Sequence, residues 1–122
     1  MPGCKALDWS MIEIEAAFDE AGLLKSCTVR GHAQAGPQGG DIVCAAVSVL
    51  TRTAVRTLSG REGITIRGSA PGRGFISIET DCTPEGRAFL FAAGAFLKEG
   101  LASVSEEYPD YCKMNIYTER RN

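Results

Sequence analysis

The amino-acid sequence predicts an α+β fold in which a mostly antiparallel or mixed sheet packs against two helices. Five short segments have the alternation or the β-branched content of strands, and two longer apolar segments have the length of helices. These segments follow one another in the order β-β-α-β-β-α-β. Neighbouring strands joined by short turns form antiparallel hairpins, and the helices between the hairpins are expected to cover the sheet.

The first predicted hairpin covers residues 11–30. In the segment MIEIEAAF (11–18), isoleucine, alanine and phenylalanine alternate with glutamate, which is typical of a strand buried on one face. The segment DEAG (19–22) supplies turn residues. The segment LLKSCTVR (23–30) is therefore predicted to be the partner strand.

A glycine-rich loop at 31–40 precedes the first predicted helix, which runs from about Asp41 to Ser59 and stops at Gly60. Aspartate is a favoured N-cap residue. With Asp41 as the cap, Cys44 lies in the first helical turn, where unpaired N–H groups and the helix macrodipole stabilise an anion. The sequence therefore predicts an environment that favours the reactive thiolate form of this cysteine.

The second predicted hairpin consists of GITIRGSA (63–70), the turn PGRG (71–74) and FISIET (75–80). The segment CKMNIYTE (112–119) is predicted to be the last strand. Together with the first hairpin, these segments supply all five strands of the expected sheet.

The second predicted helix lies between that hairpin and the last strand. Thr83 is its expected N-cap, and Pro84 takes the first helical position, where the missing N–H of proline costs nothing. Pro109 is expected to end the helix. Its phenylalanines are expected to pack in the core or at the surface of a dimer.

Length and sequence pattern indicate one domain. The chain has 122 residues, which is near the middle of the usual size range for a single domain. The strand pattern begins at Met11, itself a possible initiator. Residues 11–122 are therefore predicted to form the domain, and residues 1–10 are predicted to be a dispensable extension.

Charge and hydropathy argue against several classes of partner. The net charge is −2 and the longest basic run is the pair Arg120-Arg121, so direct binding to nucleic acid is not expected. No run of about 20 apolar residues is present, and the segment MPGCKALDWS at 1–10 lacks the order of a signal peptide. We therefore expect a cytoplasmic protein that does not enter a membrane.

The five cysteines argue against a metal or a cofactor. They are Cys4, Cys27, Cys44, Cys82 and Cys112, and none belongs to a C-x-x-C pair. With one histidine in the chain, a tetrahedral zinc site would need ligands scattered over the whole sequence. Reduced thiols and no bound metal or cofactor are the expectation, with Cys27 and Cys112 packed inside strands.

The chain's one histidine, His32, lies twelve residues before Cys44. The helix macrodipole alone stabilises an anion by roughly 0.3–2 kcal/mol, which lowers a thiol pKa by about 0.2–1.5 pH units. A charged imidazole is needed as well for an abundant thiolate at neutral pH. Spacing alone leaves two interpretations open. The residues form a catalytic pair, or Cys44 is an ordinary core cysteine and His32 takes no part in chemistry.

The string G-H-A, the glycine-rich loop and the string D-I-V-C-A-A-V-S resemble the ribosomal-processing cysteine protease family, Prp. The resemblance extends over about nine tenths of the chain, but its specific part lies in 31–48. Pro37 and Gln38 depart from the acidic and aromatic residues that some relatives have in the loop. The matching residues are Gly31, His32, Ala33, Gly36, Gly39, Asp41, Ile42, Val43, Cys44, Ala45, Ala46 and Ser48.

This resemblance implies a dimeric bacterial endopeptidase of the cytoplasm that removes an N-terminal extension from a large-subunit ribosomal protein. It implies that Cys44 is the nucleophile and His32 the base. The N–H groups at the start of the helix, including that of Cys44, are expected to stabilise the oxyanion. The residues expected to contact the substrate are Gly31, Ala33, Gly36, Gly39 and Ser48.

Two roles remain open for Asp41 and two for Ser48. Asp41 either caps the helix or turns to His32 and orients its imidazole as a third catalytic residue, and the cap role is expected to dominate in the free enzyme. The Ser48 hydroxyl binds the substrate or donates back to the carbonyl of Cys44.

The alternative function is a non-catalytic, ribosome-associated dimeric binding module on the same fold, in which the cysteine and the histidine are structural.

Overall fold

The computed structural model describes residues 11–31, 38–72 and 74–119. The predicted order β-β-α-β-β-α-β is confirmed. A single 3₁₀ turn, Pro84–Gly86, precedes the second helix. The elements are β1 (Ile12–Phe18), β2 (Leu24–Arg30), α1 (Gln38–Leu58), β3 (Ile64–Gly72), β4 (Phe75–Cys82), α2 (Arg87–Glu107) and β5 (Cys112–Thr118).

The five strands form one mixed sheet in the order β3-β4-β2-β1-β5. The β1–β2, β2–β4 and β3–β4 pairs are antiparallel, and β5 lies parallel to β1 at one edge. A parallel neighbour requires a long crossover, because the chain must return to the starting end of the sheet. Helix α2 fills the connection between β4 and β5.

Both helices cover one face of the sheet. Alternate residues of β1, from Ile12 to Phe18, are buried in one cluster with Val43 and Val47 of α1 and Leu97 and Leu101 of α2. The glutamate at residue 13, between two of these strand residues, is exposed. The opposite face of the sheet is therefore left to solvent, as the predicted alternation requires.

Helix α1 begins at Gln38, three residues before the predicted start at Asp41. The expectation that Asp41 is the N-cap is therefore wrong, because this residue is the fourth of the helix. Gly39 and Gly40 also belong to the helix, not to the loop. Two glycines cost a helix about 1 kcal/mol each, which burial of the apolar face farther along can outweigh.

The second hairpin is longer and tighter than predicted. β3 extends to Gly72, which pairs with Phe75, so residues 71 and 72 of the expected turn at 71–74 belong to the strand. The register shifts between Ser69 and Gly72. Such irregularities bend a strand locally, and this one lies at the end of the sheet next to α1.

The start of the second helical segment differs in detail from the prediction. Thr83 precedes the 3₁₀ turn, but its side chain makes no capping hydrogen bond, and the α-helix begins at Arg87. A Cβ at Gly86 would lie 2.5 Å from the carbonyl oxygen of Gly63, so the two chain segments approach closely where only glycine fits. Helix α2 ends before Pro109, as predicted.

By length and composition alone, the segment Pro84–Glu107 is long and apolar enough to cross a membrane, with a mean hydropathy of 1.3. In the fold, one face of α2 packs on the sheet through Leu90, Leu97 and Leu101. A Cβ at Gly94 would lie 2.9 Å from Cβ of Leu24, so the helix and the sheet are in close contact there. This packing accounts for part of the apolar content.

Candidate active site

Cys44 is a half-buried residue of α1 that packs against the edge of the core. It lines a cavity of about 250 Å³, here called the Cys44 cavity. The cavity lies where β2 ends and β4 begins. Its other lining residues are Ile12, Val29, Gly31, Val47, Ser48, Ala70, Gly74, Phe75 and Ile76. A thiol therefore faces a space at the end of the sheet that is lined mainly by small and apolar residues.

Gly31 fixes the path of the chain as it leaves β2. Its φ is +83°, and its N–H donates to the carbonyl oxygen of Gly74 at 2.7 Å. A Cβ at this position would lie 2.5 Å from the carbonyl oxygen of Met11. Only glycine meets both conditions without strain. The backbone therefore requires glycine where β2 ends, and this role accompanies the place of Gly31 in the cavity wall.

Cys44 is the seventh residue of a helix that begins at Gln38, so the prediction that it lies in the first turn is wrong. The effect of the macrodipole falls off within the first turn. In a regular helix, an N–H at this position already bonds to the carbonyl four residues earlier. The helix terminus is therefore not the feature that would activate Cys44, and its N–H is not available for the expected oxyanion contact.

The other residues predicted around Cys44 divide into two groups. His32, Ala33 and Gly36 lie outside the described residues. Gly39 belongs to α1, and Asp41 is its fourth residue, with a side chain outside the described part of the structure. The catalytic and substrate-binding roles of these residues stay predictions.

Ser48 lies one turn after Cys44 and lines the same cavity, as the helical spacing predicts. Its carbonyl oxygen accepts a hydrogen bond of 3.2 Å from the Thr51 hydroxyl, which also donates to the carbonyl of Val47 at 2.9 Å. The backbone around Ser48 is therefore anchored. Its predicted contact with substrate stays a prediction.

Cys27 and Cys112 are more deeply buried than Cys44. Both are buried in strands, as predicted, and burial raises the pKa of each thiol to about 11. Cys82 is half-buried at the opposite end of β4. Within 11–31, 38–72 and 74–119, no three histidine, cysteine or acidic side chains are placed to hold a metal ion.

A groove continues from the Cys44 cavity between α1 and the β3–β4 hairpin. It was not predicted from the sequence. It has a volume of about 420 Å³ and shares Ser48, Ala70 and Ile76 with the cavity. Gly68, in the middle of β3, lies in its wall. A glycine inside a strand weakens the strand and often marks a place where a ligand approaches, so this residue was the available signal.

A half-buried thiol beside a cavity at the end of the sheet supplies one element that a cysteine protease needs, a candidate nucleophile next to an open space. The family comparison agrees. Residues 11–113 match the model of the family described as cysteine protease Prp, and the chain belongs to that family. No curated protein matches the sequence.

Solved structures share the fold. SMU.848 from Streptococcus mutans is 26% identical, with a TM-score of 0.75 over 90% of this chain and 97% of that chain. The essential ribosomal processing protease Prp from S. aureus, in complex with a substrate peptide, is 20% identical, with a TM-score of 0.73 over 87% and 99%. The same protease with a covalently linked product peptide gives 23% identity and a TM-score of 0.72 over the same shares.

Proposed function

We propose that this protein is an endopeptidase that removes the N-terminal extension of a large-subunit bacterial ribosomal protein, with Cys44 as its nucleophile. The observation that supports the proposal most is the family match over residues 11–113. The S. aureus structure of the same fold is named as a ribosomal processing protease in complex with a substrate peptide. The half-buried thiol of Cys44, which lines a cavity at the end of the sheet, also supports the proposal.

The proposed reaction is acyl transfer. His32 takes the proton of the Cys44 thiol, and the thiolate attacks the scissile carbonyl. The imidazolium then protonates the leaving amine, which leaves an acyl group on the sulfur. A water molecule, deprotonated by His32, releases the acyl group as a carboxylate and restores the thiol.

In this proposal, His32 contributes more to the stabilisation of the Cys44 thiolate than the sequence pattern predicts. Cys44 is too far along α1 for the helix terminus to stabilise its thiolate strongly. An imidazolium beside the sulfur supplies the missing stabilisation. We propose Asp41 as a residue that orients His32, because its position inside the helix removes the capping role.

We further propose a cytoplasmic homodimer that does not insert into a membrane and does not bind nucleic acid directly. The net charge of −2 supports the last point. Phe96 is 75% exposed on α2, and a second copy of the chain would cover it.

The test is incubation of the protein with the organism's own ribosomal protein, followed by mass spectrometry of the products. The wild type should release the N-terminal extension, and Cys44→Ala should release none. Cys82→Ala is the matched control, because Cys82 is also half-buried but lies at the other end of β4. It should cleave as the wild type does.

Intact ribosomal protein in the wild-type reaction would contradict the proposal. If the two proteins still formed a complex, that outcome would favour the non-catalytic binding module.

A further inference from the structure

The groove beside the Cys44 cavity, here called the α1–β3 groove, has a helix wall and a strand wall. On α1, Ser48, Thr51 and Val55 follow one another at helical spacing after Cys44, so they share one face of the helix. On β3 and β4 the wall includes Gly68 and the buried Ile78. The lining is mainly apolar, and its helix wall also includes Arg52.

The groove exists because large side chains on β3 give way to small ones. The residues of β3 that face the helices are alternate ones. Ile64 and Ile66 pack against the core clusters, whereas the next two positions on that face are Gly68 and Ala70. The space above these two small residues is the groove.

Neither backbone conformation nor close packing requires glycine at position 68. Its φ lies outside the left-handed range, unlike that of Gly31. A Cβ built on Gly68 would have its nearest neighbours at 3.9 Å, the carbonyl oxygen of Ser77 and Cγ2 of Val55. A side chain there would project toward α1 and occupy the groove. The glycine therefore leaves open a volume that the fold itself does not need.

The groove reaches the thiol without interruption, because Ser48, Ala70 and Ile76 line both the groove and the Cys44 cavity. From Cys44 to Val55 the helix advances eleven residues, or about 16 Å at 1.5 Å per residue. An extended peptide covers that length with about five residues at 3.3 Å each. β3 is also the edge strand of the sheet, so no further described strand closes this side.

We propose that the α1–β3 groove binds the substrate peptide on one side of the scissile bond, and that Gly68 determines specificity by admitting an apolar side chain. This inference rests on the proposed peptidase function. The side chain that lies over Gly68 belongs to the third to fifth residue from the scissile bond, since Val55 and Gly68 lie at the far end of the groove. Its apolar character follows from Val55 and Ile78, which lie in the wall with Gly68, whereas Arg52, the charged residue of the lining, is exposed to solvent.

The experiment fills the groove and measures cleavage of a peptide that spans the processing junction of the organism's own ribosomal protein. Gly68→Leu should lower kcat/KM at least about 10-fold, because a misfit of one methylene in an apolar pocket already changes this ratio by about 10- to 200-fold. Gly68→Ala should have a smaller effect, since a Cβ fits at 3.9 Å from its neighbours. Most of the loss should appear in KM, because the groove is remote from the reacting atoms.

Thr65→Leu is the matched control. Thr65 is exposed on the same strand, three residues from Gly68 and on the opposite face. It should keep the wild-type kcat/KM. If Gly68→Leu does not fold, Ala70→Leu fills the groove from the same face of the strand and should give the same loss.

A second readout assigns the peptide position. Alanine is substituted for each apolar residue within five residues of the cleaved bond. One substitution at the third to fifth position should lower kcat/KM for the wild type and have little further effect for Gly68→Leu.

The outcomes separate the two proposals. Cleavage by the wild type with unchanged kcat/KM in Gly68→Leu and Ala70→Leu would overturn the groove assignment and leave the peptidase function intact. An equal loss in Thr65→Leu would also overturn the groove assignment. Absence of cleavage by the wild type would overturn the proposed function and the groove assignment with it.

Discussion

A half-buried cysteine lies beside a cavity at each end of the paired strands β2 and β4, but the surroundings of the two cysteines differ. At one end, Cys44 lines a cavity of about 250 Å³ with Gly31 and Gly74. At the other, Cys82 lines a larger cavity of about 390 Å³, whose charged residues are Asp19, Glu20, Lys25, Asp81, Arg87 and Glu119. The larger cavity is the more polar, yet the smaller one continues into a groove.

At the end with Cys82, here called the charged end, several polar groups already stabilise the fold. One carboxylate oxygen of Asp19 accepts from the N–H groups of Ala21 and Leu23, both at 2.9 Å, and thereby forms the turn between β1 and β2. Lys25 lies 3.4 Å from Asp81 across the strands. Cavity size and a nearby cysteine therefore do not identify a site. Continuity with a peptide-sized groove distinguishes the Cys44 end.

The largest expected effect comes from removing the base at the Cys44 end. His32→Ala should lower the cleavage rate at least about 100-fold, because general acid–base catalysis contributes about 10²–10⁴-fold. The chain has no second histidine to substitute. Cleavage of the ribosomal protein is measured by mass spectrometry, with circular dichroism to confirm the fold. Turnover above a tenth of the wild-type rate would exclude His32 from the mechanism.

The next effect tests whether Gly31 is required by the backbone. Gly31→Ala should lower the free energy of unfolding by more than the roughly 1–3 kcal/mol of a strained φ, because the added Cβ also meets the carbonyl of Met11. Gly60→Ala is the matched control. Its φ of +74° imposes strain, but nothing lies within 4 Å of the added Cβ. Urea unfolding of both variants provides the comparison, and equal losses would contradict the crowding at Gly31.

A smaller effect concerns the buried thiols. Alkylation of Cys27 and Cys112 by iodoacetamide should be slow at pH 8 and should increase with pH, because burial raises the pKa of both thiols to about 11. Below that pKa the reactive thiolate is the minor form. Peptide mapping after labelling at several pH values measures each cysteine separately. Rapid labelling of either thiol at pH 8 in the folded protein would contradict this assignment.

The smallest effect belongs to the charged end. The pKa of Asp81 is lowered, first by the hydrogen bond from the N–H of Cys82 and then by Lys25. The resulting stability is present above the unfolded pKa of about 3.8 and is lost as the pH falls through the lower folded value.

Because the Asp81 side chain is 75% exposed, Asp81→Asn should cost less than about 1 kcal/mol at pH 7. Asp110→Asn, at an exposed turn residue, is the control. Urea unfolding at pH 7 and pH 3 checks both variants. A larger loss at pH 3 than at pH 7 would reverse the expected sign.

The sequence predicted the order of the elements because local patterns determine it. Alternation identified β1 directly, and proline and glycine bounded the second hairpin and α2. The parallel pairing of β5 with β1 was not predictable in detail, because it joins Ile12 to Cys112 across a hundred residues. No local signal encodes such a partner.

The sequence located Cys44 in a site but misjudged its environment. Asp41 resembles an N-cap, and two glycines before it resemble a loop, yet α1 begins at Gln38. Pro37, which directly precedes Gln38 in the sequence, was the overlooked signal, since proline is a residue type enriched where helices begin. Gly68 inside a strand pattern was the one signal of the groove, but the groove itself could not be predicted, because it depends on Val55 facing Gly68 across the two layers.

Cys44, and not the cysteine at the charged end, is proposed to be the reactive thiol. Samples are treated with iodoacetamide at pH 7 for a series of short times, so that the labelled fraction differs between samples. Peptide mapping gives the labelled fraction of each cysteine in each sample. Residual cleavage of the ribosomal protein is measured on the same samples. Activity should fall in proportion to the labelling of Cys44 and should not depend on the labelling of Cys82. Full activity with Cys44 completely labelled, or activity that falls with the labelling of Cys82, would contradict the assignment of Cys44 as the nucleophile.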